Sequence, residues 1–297
     1  MTLKRVTIIY NPRSGRRRNR LSQIDQARHR LNAYQIETEC MMTQGPGHAT
    51  ELAQAAIAGG ADLIIVKGGD GTLNETLQAL VGSEIPLAIW PSGTANVLAQ
   101  VLEIPRQFDQ VMRVITSGQP KPITVGQANG RYFFLMAGIG LDASIVQHLN
   151  PRLKRIGGVL AFWVSGLKHL TSWKAPVFTL RVNGDEFQAT FAALTKSPKY
   201  GGGLHITPDA RLDTEWLDVC AVTTRSAWRY LTVHLPLGFV GQHIRQKGVI
   251  YVKSREARAE SSDEVWVQVD GELLGRLPMT FRSIPRAVRV MVPGKCS

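Results

Sequence analysis

Three short apolar runs in the first third of the chain each end in a glycine-containing turn. The clearest lies in Leu63–Glu75, where a strand-like run is followed by the turn Gly68–Thr72 and the start of a helical pattern. The other two turns follow the runs that end at Tyr10 and Trp90. Strands that alternate with helices in this way form an open parallel sheet. The pattern therefore predicts a Rossmann-like α/β domain.

The elements of this domain follow from hydrophobic periodicity. Apolar residues recur at helical spacing around Ile24 and again around Ala53, and the second helix is expected to end at Gly59-Gly60. The predicted strands are Val6–Tyr10, Ile36–Met41, Leu63–Lys67 and Leu87–Trp90.

After Lys121-Pro122 the pattern changes to period-two strands joined by tight turns. Two pairs of strands flank Asn-Gly dipeptides, which are the strongest short-range signal of a hairpin. The pairs are Val125–Ala128 with Arg131–Leu135, and Phe178–Val182 with Phe187–Phe191. One helical segment is expected near residues 153–170. The second domain is therefore mainly antiparallel β, as a sandwich or barrel-like body, and a length of 297 residues agrees with two domains.

The charge and the cysteines limit the classes of function. A net charge of +12 requires an anionic partner, either nucleic acid, lipid headgroups or nucleotide phosphates. Nucleic acid is disfavoured, because its recognition motifs are missing and the basic residues are dispersed apart from Arg16–Arg18 and Arg20. The three cysteines show no zinc-site spacing. With neither a signal-peptide pattern nor an apolar run long enough to span a bilayer, we expect a cytoplasmic protein or one that lies on a membrane.

The turn Gly68–Thr72 suits a phosphate group. Backbone N–H groups at a helix N-terminus favour an anion, and glycine lets the backbone approach it closely. Asp70 suits a Mg²⁺ ion that bridges phosphate oxygens, directly or through water. A structural alternative stays open, because Thr72 and Glu75 fit a capping box in which Thr72 caps the helix and Glu75 reaches back.

Two further turns, Asn11–Gly15 and Pro91–Asn96, end neighbouring strands. Such turns line one crevice, which is the usual ligand position in an open α/β sheet. One turn is a weak signal, whereas three in one domain are a specific one. The candidate ligand-binding residues in these turns are Asn11, Gly68, Gly69, Asp70, Gly71, Thr72, Glu75, Ser92, Gly93, Thr94 and Asn96.

The turns NPxSG, GGDGTLNE and PSGTAN, in this order, resemble the diacylglycerol kinase catalytic-domain family, especially its bacterial lipid-kinase members. Four further segments fit its pattern: Ala137–Ala143, Tyr200–Gly203, Pro208–Ala210 and Val269–Glu272. The resemblance implies that ATP lies in the cleft between the Rossmann-like domain, residues 1–122, and a mainly antiparallel β-sandwich domain, residues 123–285. It implies nucleotide contacts from Asn11, Thr43, Gly69, Asp70, Gly71, Thr72 and Thr94. It also implies that the last strand, near Val288–Val292, returns residues 286–297 to the first domain.

The tripeptide Asp270-Gly271-Glu272 follows a strand-like run, and its residues alone favour a tight turn. The resemblance implies that Asp270 is the general base that takes the proton from a lipid hydroxyl as it attacks the γ-phosphate. A carboxylate near the acceptor suits phosphoryl transfer, and we assign Glu272 as its helper.

The run Arg211–Asp218 departs from the family pattern. Relatives often read Leu-x-Asp-Gly-x-Leu-Asp here, where a carboxylate and backbone carbonyls hold a structural Mg²⁺. In this chain Thr214 replaces the carboxylate and Glu215 replaces the glycine. The implied ligands would be Arg211, Thr214 and Trp216, and because a hydroxyl is a weaker ligand than a carboxylate, the survival of this site stays open.

The segment Arg152–Val164 is basic first and then apolar and aromatic. It predicts peripheral contact with an anionic membrane, and a core helix with solvated basic residues is an equal alternative.

The sequence thus predicts a lipid kinase that uses ATP and Mg²⁺ to phosphorylate a membrane-lipid hydroxyl. Two alternatives remain: a kinase of a soluble substrate, of the NAD kinase type that shares the GGDGT turn, and a catalytically silent nucleotide- or lipid-binding regulator. The sequence identifies neither the lipid nor the oligomeric state, and a homodimer stays open.

Overall fold

The computed structural model describes residues 3–15, 20–148, 175–199 and 203–294. The chain divides into two compact units, Met1–Ile123 with Arg286–Ser297, and Thr124–Pro285. The basic run Arg16–Arg18, the segment around residues 152–170 and residues 200–202 lie outside the described residues. Within the described ranges, no helix has the length and apolar character needed to cross a membrane.

The first unit contains a parallel sheet whose strands follow the predicted runs to within one residue. The strands are β1 (Arg5–Tyr10), β2 (Glu37–Met42), β3 (Leu63–Gly68) and β4 (Leu87–Pro91). They are parallel in the order β2-β1-β3-β4. The helices are α1 (Arg20–Ala33), α2 (His48–Ala58), α3 (Asp70–Leu80), α4 (Val97–Val101) and α5 (Phe108–Ser117).

The central strands are mainly apolar because helices cover a parallel sheet on both faces. Every residue of β3 is buried. On α1, Ile24 and Leu31 are buried in one cluster with Ile8 and Ile65 of the strands. This is the face that the helical spacing predicts.

The second unit consists mainly of antiparallel strands. Its strands, of which the first and the last extend into the first unit, are β5 (Gln119–Ala128), β6 (Arg131–Phe133), β7 (Met136–Gly140), β8 (Phe178–Val182), β9 (Asp185–Ala189), β10 (Phe191–Thr195), β11 (Leu217–Val222), β12 (Val249–Ser254), β13 (Glu256–Glu260), β14 (Trp266–Val269), β15 (Glu272–Arg276) and β16 (Met279–Val292). Its helical elements are α6 (Leu141–His148), α7 (Ala227–Arg229), a π-helical turn (Tyr230–His234), α8 (Leu235–Phe239) and a 3₁₀ turn (Gln242–Arg245).

Two layers of strands enclose the core of this unit. One is a six-stranded sheet in the order β12-β11-β10-β7-β14-β15, and the other contains the antiparallel series β9-β8-β13-β16. A single apolar cluster joins Ile139 and Val267 of the first layer to Phe178 and Phe281 of the second. Sheets that bury their inner faces against each other form a sandwich. The predicted fold class, an α/β domain followed by a β-sandwich, is confirmed.

Both predicted Asn-Gly hairpins are present. The residues Asn129, Gly130, Asn183 and Gly184 have φ values of 42°, 91°, 53° and 89°, as a type I′ turn requires. Strand β9 begins two residues before the predicted run, because Val182 pairs directly with Asp185.

Strand β6 ends at Phe133, two residues before the predicted end at Leu135. The backbone N–H groups of Phe134 and Leu135 donate to the carboxylate of Asp270 instead of to a neighbouring strand. A side chain distant in sequence therefore ends the strand.

Strand β16 contributes residues to both units. Its first residues, 279–282, pair antiparallel with β13, and Val290 pairs parallel with Leu87 of β4. Strand β16 thus adds to the parallel sheet of the first unit.

Candidate functional site

Four segments that hold candidate residues meet at one edge of the first unit. Because β1 to β4 are parallel, their carboxyl ends lie on the same side of the sheet. Asn11 follows β1, Thr43 follows β2, Gly69 follows β3 and Ser92 follows β4. The residues between Gly69 and Thr72 form the start of α3. The structure therefore brings together the turns that the sequence singles out.

The turns after β3 and β4 touch backbone to backbone. The N–H groups of Ser92 and Gly93 donate to the carbonyl oxygen of Gly68 at 3.0 and 3.2 Å. A Cβ on Gly93 would lie 2.6 Å from the Cα of Gly69, and one on Gly69 would lie 3.3 Å from the Cα of Gly93. A Cβ has no room at Gly93 and would make a tight contact at Gly69, so the two glycines allow the strand ends to converge.

The amide of Asn96 closes the turn after β4. Its Oδ1 accepts from the N–H of Gly93 at 2.8 Å, and its Nδ2 donates to the Gly93 carbonyl at 2.7 Å. Asn96 is buried and has a φ of 50°, and α4 begins at the next residue. Its side chain therefore shapes the turn, while Thr94 lies exposed at the tip.

Ser92 carries a buried hydroxyl that has no hydrogen-bond partner among the described residues. A buried polar atom is normally paired, with water or a ligand if not with protein. The Ser92 hydroxyl thus provides an acceptor and a donor beside the glycine contact.

Asn11 links the turn after β1 to helix α3. Its Nδ2 donates to Oγ1 of Thr72 at 3.3 Å, and its Oδ1 accepts from the N–H of Arg13 at 2.8 Å. Its own N–H donates to the carbonyl of Lys67 at 3.0 Å. Asn11 and Thr72 therefore hold the first and third strand ends together.

The capping box expected at Thr72 and Glu75 is wrong. Helix α3 begins at Asp70, with Gly69 as its extended N-cap, so Thr72 lies inside the first turn. The carboxylate of Glu75 accepts from the N–H of Ala49 at 3.1 Å, near the start of α2. Glu75 therefore stabilises a neighbouring helix, and the N-cap of α3, Gly69, has no side chain that could cap it. An uncapped helix start retains N–H groups that favour an anion.

The Asp70 carboxylate lies against the start of α4. Its Oδ1 accepts from the N–H of Leu98 at 3.3 Å. Burial raises the pKa of Asp70 above its ordinary value, and hydrogen bonds from the N–H groups of Val97, Leu98 and Asn96 partly oppose that rise. No cluster of three or more His, Cys, Asp or Glu side chains occurs in the described ranges. A divalent ion at Asp70 would therefore take most of its ligands from phosphate oxygens and water.

Lys67 is a buried cation that the sequence analysis did not single out. Its Nζ lies 4.0 Å from the ring centroid of Trp90 and 2.8 Å from Oε1 of Gln23. The only signal in the sequence is a lysine at the end of an otherwise apolar strand. The contact joins β3, β4 and α1 one residue before the glycine turn.

In the second unit, Asp270 occupies a tight turn between β14 and β15, as its residues predict. Its φ is 47° and that of Gly271 is 86°. The carboxylate of Asp270 accepts from the N–H groups of Phe134, Leu135 and Met136 at 2.8, 2.9 and 3.0 Å. The carboxylate is therefore held in one orientation, and its role as a base stays a prediction.

Two buried polar residues next to this turn, Gln268 and Asp142, were not predicted from the sequence as site residues. Gln268 donates from Nε2 to the carboxylate of Asp142, and its Oε1 accepts from the N–H of Gly271 at 2.7 Å. The signal available in the sequence for Gln268 was a polar residue within the apolar strand β14.

Glu272, which the sequence analysis assigns as the helper of Asp270, lies beside Arg131, with 3.8 Å between the charged atoms.

The residues implied as ligands of a structural Mg²⁺ do not fit a metal. Lys196 donates from Nζ to the carbonyls of Thr214 and Trp216, and Oγ1 of Thr214 donates to the carbonyl of Arg211. Burial lowers the pKa of Lys196 to about 8, while Asp218 and Asp213 oppose the change. The three oxygens that accept hydrogen bonds from Nζ are what an ammonium group requires.

Comparison with known proteins adds sequence and fold relationships to this geometry. Residues 5–128 match the diacylglycerol kinase catalytic domain, and residues 136–292 match a YegS C-terminal domain described as NAD kinase beta sandwich-like. A diacylglycerol kinase of Bacillus subtilis is 30% identical over 98% of this chain and 97% of its own length. One from Staphylococcus aureus strain MRSA252 is 31% identical over 98% and 93%. The crystal structure of a diacylglycerol kinase from Bacillus anthracis is 24% identical, with a TM-score of 0.78 and full coverage of both chains.

The glycine contact predicts the effect of one methyl group. If this edge binds Mg-ATP, as the family resemblance implies, Gly93→Ala should weaken that binding by roughly tenfold or more, because the methyl group would displace the turn from Gly69. Gly45→Ala is the matched control, since a Cβ there meets no atom within 4 Å. Isothermal titration calorimetry measures the Mg-ATP affinity of both variants. Equal affinities would contradict a nucleotide site at this edge of the sheet.

Burial of Asp70 predicts a gain in stability when its charge is removed. The folded-state pKa lies above the unfolded value near 3.8, so the stability of the native state falls as the pH rises between the two pKa values. The reduction persists above them. Asp70→Asn should therefore raise the melting temperature of the nucleotide-free protein at neutral pH, by a margin that shrinks as the pH approaches 3.8. A variant that melts lower than the wild type at neutral pH would refute this prediction.

Proposed function

The chain belongs to the diacylglycerol kinase family and is a kinase, and from this premise we propose that it transfers the γ-phosphate of ATP to a hydroxyl of a membrane lipid. The observation that carries the proposal is the converging edge of the first unit, where Gly69 meets Gly93 beside the uncapped start of α3. Backbone N–H groups and missing Cβ atoms are what a polyphosphate requires.

The nucleotide contacts that we propose follow from this arrangement. The N–H groups at the start of α3 would donate to phosphate oxygens, and the unpartnered hydroxyl of Ser92 is a further donor. Asn11 would act by positioning Thr72, to which it donates a hydrogen bond. Thr43 and Thr94 complete the set that the family resemblance implies.

Asp70 is the side chain that would hold Mg²⁺ beside the phosphates. When bound, the ion would offset the negative charge of the phosphates. The carboxylate of Asp70 is fixed by the start of α4, so its orientation does not depend on the ion. Among the described residues no cation contributes to the pKa shift of Asp70, and a desolvated carboxylate of this kind is often functional.

Asp270 is the base in this proposal. The lipid hydroxyl would lose its proton to the Asp270 carboxylate, its oxygen would bond to the γ-phosphorus, and the bond from that phosphorus to ADP would break. The three N–H groups of residues 134–136 hold the carboxylate, and Gln268 holds the following N–H. Asp142 would be a positioning residue that acts through Gln268.

A membrane surface would present the lipid substrate. The helical segment Ala227–Arg245 exposes Trp228 and Val240, whose exposed fractions are 73% and 65%. The side chains of Arg225 and Arg229 are exposed in the same part of the chain. Aromatic and basic residues together favour the interface of an anionic bilayer. We therefore propose that this segment contributes to peripheral membrane contact.

Phosphorylation of a soluble substrate is a second candidate, favoured by one observation. Residues 136–292 match a domain described as similar to the NAD kinase sandwich. A catalytically silent regulator would bind ATP without turnover.

Production of ADP distinguishes these functions. Vesicles that contain diacylglycerol or other hydroxyl-bearing lipids should stimulate ADP release, whereas NAD without lipid should not.

Asp270→Asn should lower the rate of lipid-dependent ADP release by roughly 100-fold or more, because general-base contributions are of that order. Asp263→Asn is the control at an exposed position in the same unit. Melting temperatures and ATP affinities show whether the variants are folded. ADP release with NAD alone would favour the second candidate, and full activity of Asp270→Asn would remove that residue from the mechanism.

Membrane contact has its own test. Trp228→Ala should reduce cosedimentation with phosphatidylglycerol vesicles, because it removes an exposed aromatic side chain from the proposed surface. Tyr34→Ala, which removes a ring that is 62% exposed in the first unit, should bind as the wild type does. Equal losses in both variants, or none in either, would argue against this segment.

A further inference from the structure

Lys196 follows β10 and is a fully buried lysine, with an exposed fraction of 0%. Its Nζ donates to the carbonyl of Trp216 at 2.6 Å, to the carbonyl of Thr214 at 2.7 Å and to Oγ1 of Thr214 at 3.1 Å. An ammonium group has three N–H donors and no acceptor. Thr214 and Trp216 therefore supply three oxygens, one for each N–H group of the Lys196 ammonium.

The remaining groups of the loop also have partners. Oγ1 of Thr214 donates to the carbonyl of Arg211 at 3.0 Å, and the Arg211 side chain pairs with Asp213. Asp218, which lies two residues after Trp216, accepts from the hydroxyl of Tyr251 at 2.8 Å. All three residues implied as metal ligands are thus engaged within the protein.

A second cation cannot share these oxygens favourably. Mg²⁺ binds oxygen at about 2.0–2.1 Å in an octahedron and prefers carboxylates, whereas the distances around Lys196 are those of hydrogen bonds. Two positive charges in contact with the same oxygens would also repel each other strongly. The ammonium and the metal are therefore alternatives.

We propose that the ammonium of Lys196 takes the place of the structural Mg²⁺ implied for this loop, so that residues 211–216 are held by a cation that belongs to the chain itself. The two changes in the loop agree with this role. Thr214 offers a neutral oxygen to an ammonium, and Glu215 pairs with Arg255 on the outside of the loop. The inference is independent of the proposed function.

Residues 211–216, held by Lys196, would connect the end of β10 with two other parts of the chain, at Leu135 and at Thr124. The backbone N–H of Lys196 donates to the carbonyl of Leu135 at 2.8 Å, and the carbonyl of Leu212 accepts from the N–H of Thr124 at 2.7 Å. Leu135 is also one of the residues that hold Asp270. Loss of the ammonium should therefore loosen the loop and lower the stability of this unit.

The first experiment compares melting temperatures without nucleotide in EDTA and in excess Mg²⁺. The wild type should melt at the same temperature in both. Lys196→Met, which keeps the aliphatic chain and removes the charge, should melt roughly 5–10 °C lower, since it leaves oxygens without their cation. Lys247→Met is the matched control at an exposed lysine of the same unit and should melt as the wild type does.

The second experiment restores the metal ligands. The triple variant Lys196→Met, Thr214→Asp and Glu215→Gly should gain a melting temperature that rises with the logarithm of the Mg²⁺ concentration and falls in EDTA. The proposal is overturned if the wild type shows that same dependence on Mg²⁺, or if Lys196→Met melts at the wild-type temperature. Because the wild-type measurement needs no variant, the test does not depend on whether Lys196→Met folds.

Discussion

The contact between Gly69 and Gly93 is the constraint on which the edge of the first unit depends. With no Cβ on either residue, the turns after β3 and β4 approach until two N–H groups of one bind a carbonyl of the other. That approach places Asn96 where it closes the turn and starts α4. The first N–H groups of α4 in turn hold Asp70. The position of the Asp70 carboxylate thus depends on the absence of a Cβ at Gly69 and Gly93.

Three charged side chains that are partly or fully buried are stabilised in three different ways. Asp70 has backbone N–H groups, which offset only part of its desolvation, so its pKa is raised. Asp270 accepts three N–H groups from one stretch of chain. Lys196 donates to three oxygens of one loop. A charge removed from water is tolerated when such partners replace the water, and Asp70, whose pKa stays raised, lies where we propose the metal ion.

Local signals predicted the strands, the Asn-Gly hairpins and the three turns, because each depends on residues adjacent in sequence. The capping box at Thr72 failed because Gly69 starts the helix earlier and α2 supplies a partner for Glu75. Gln268 and Asp142 lie 126 positions apart, and no periodicity links them. Lys196 stands at the end of a strand, and no local pattern links it to the oxygens of Thr214 and Trp216 that surround its Nζ. Side-chain hydrogen bonds between residues distant in sequence could therefore not be predicted from local patterns.

Hydrogen–deuterium exchange with and without a non-hydrolysable Mg-ATP analogue tests the central claim most directly. If the converging glycine turns bind the phosphates, exchange should slow in peptides that cover residues 68–73 and 92–98. Amides of the exposed hairpin at Asn183-Gly184 serve as an internal reference and should be unchanged. Protection confined to other segments, with no change at these two turns, would contradict the account.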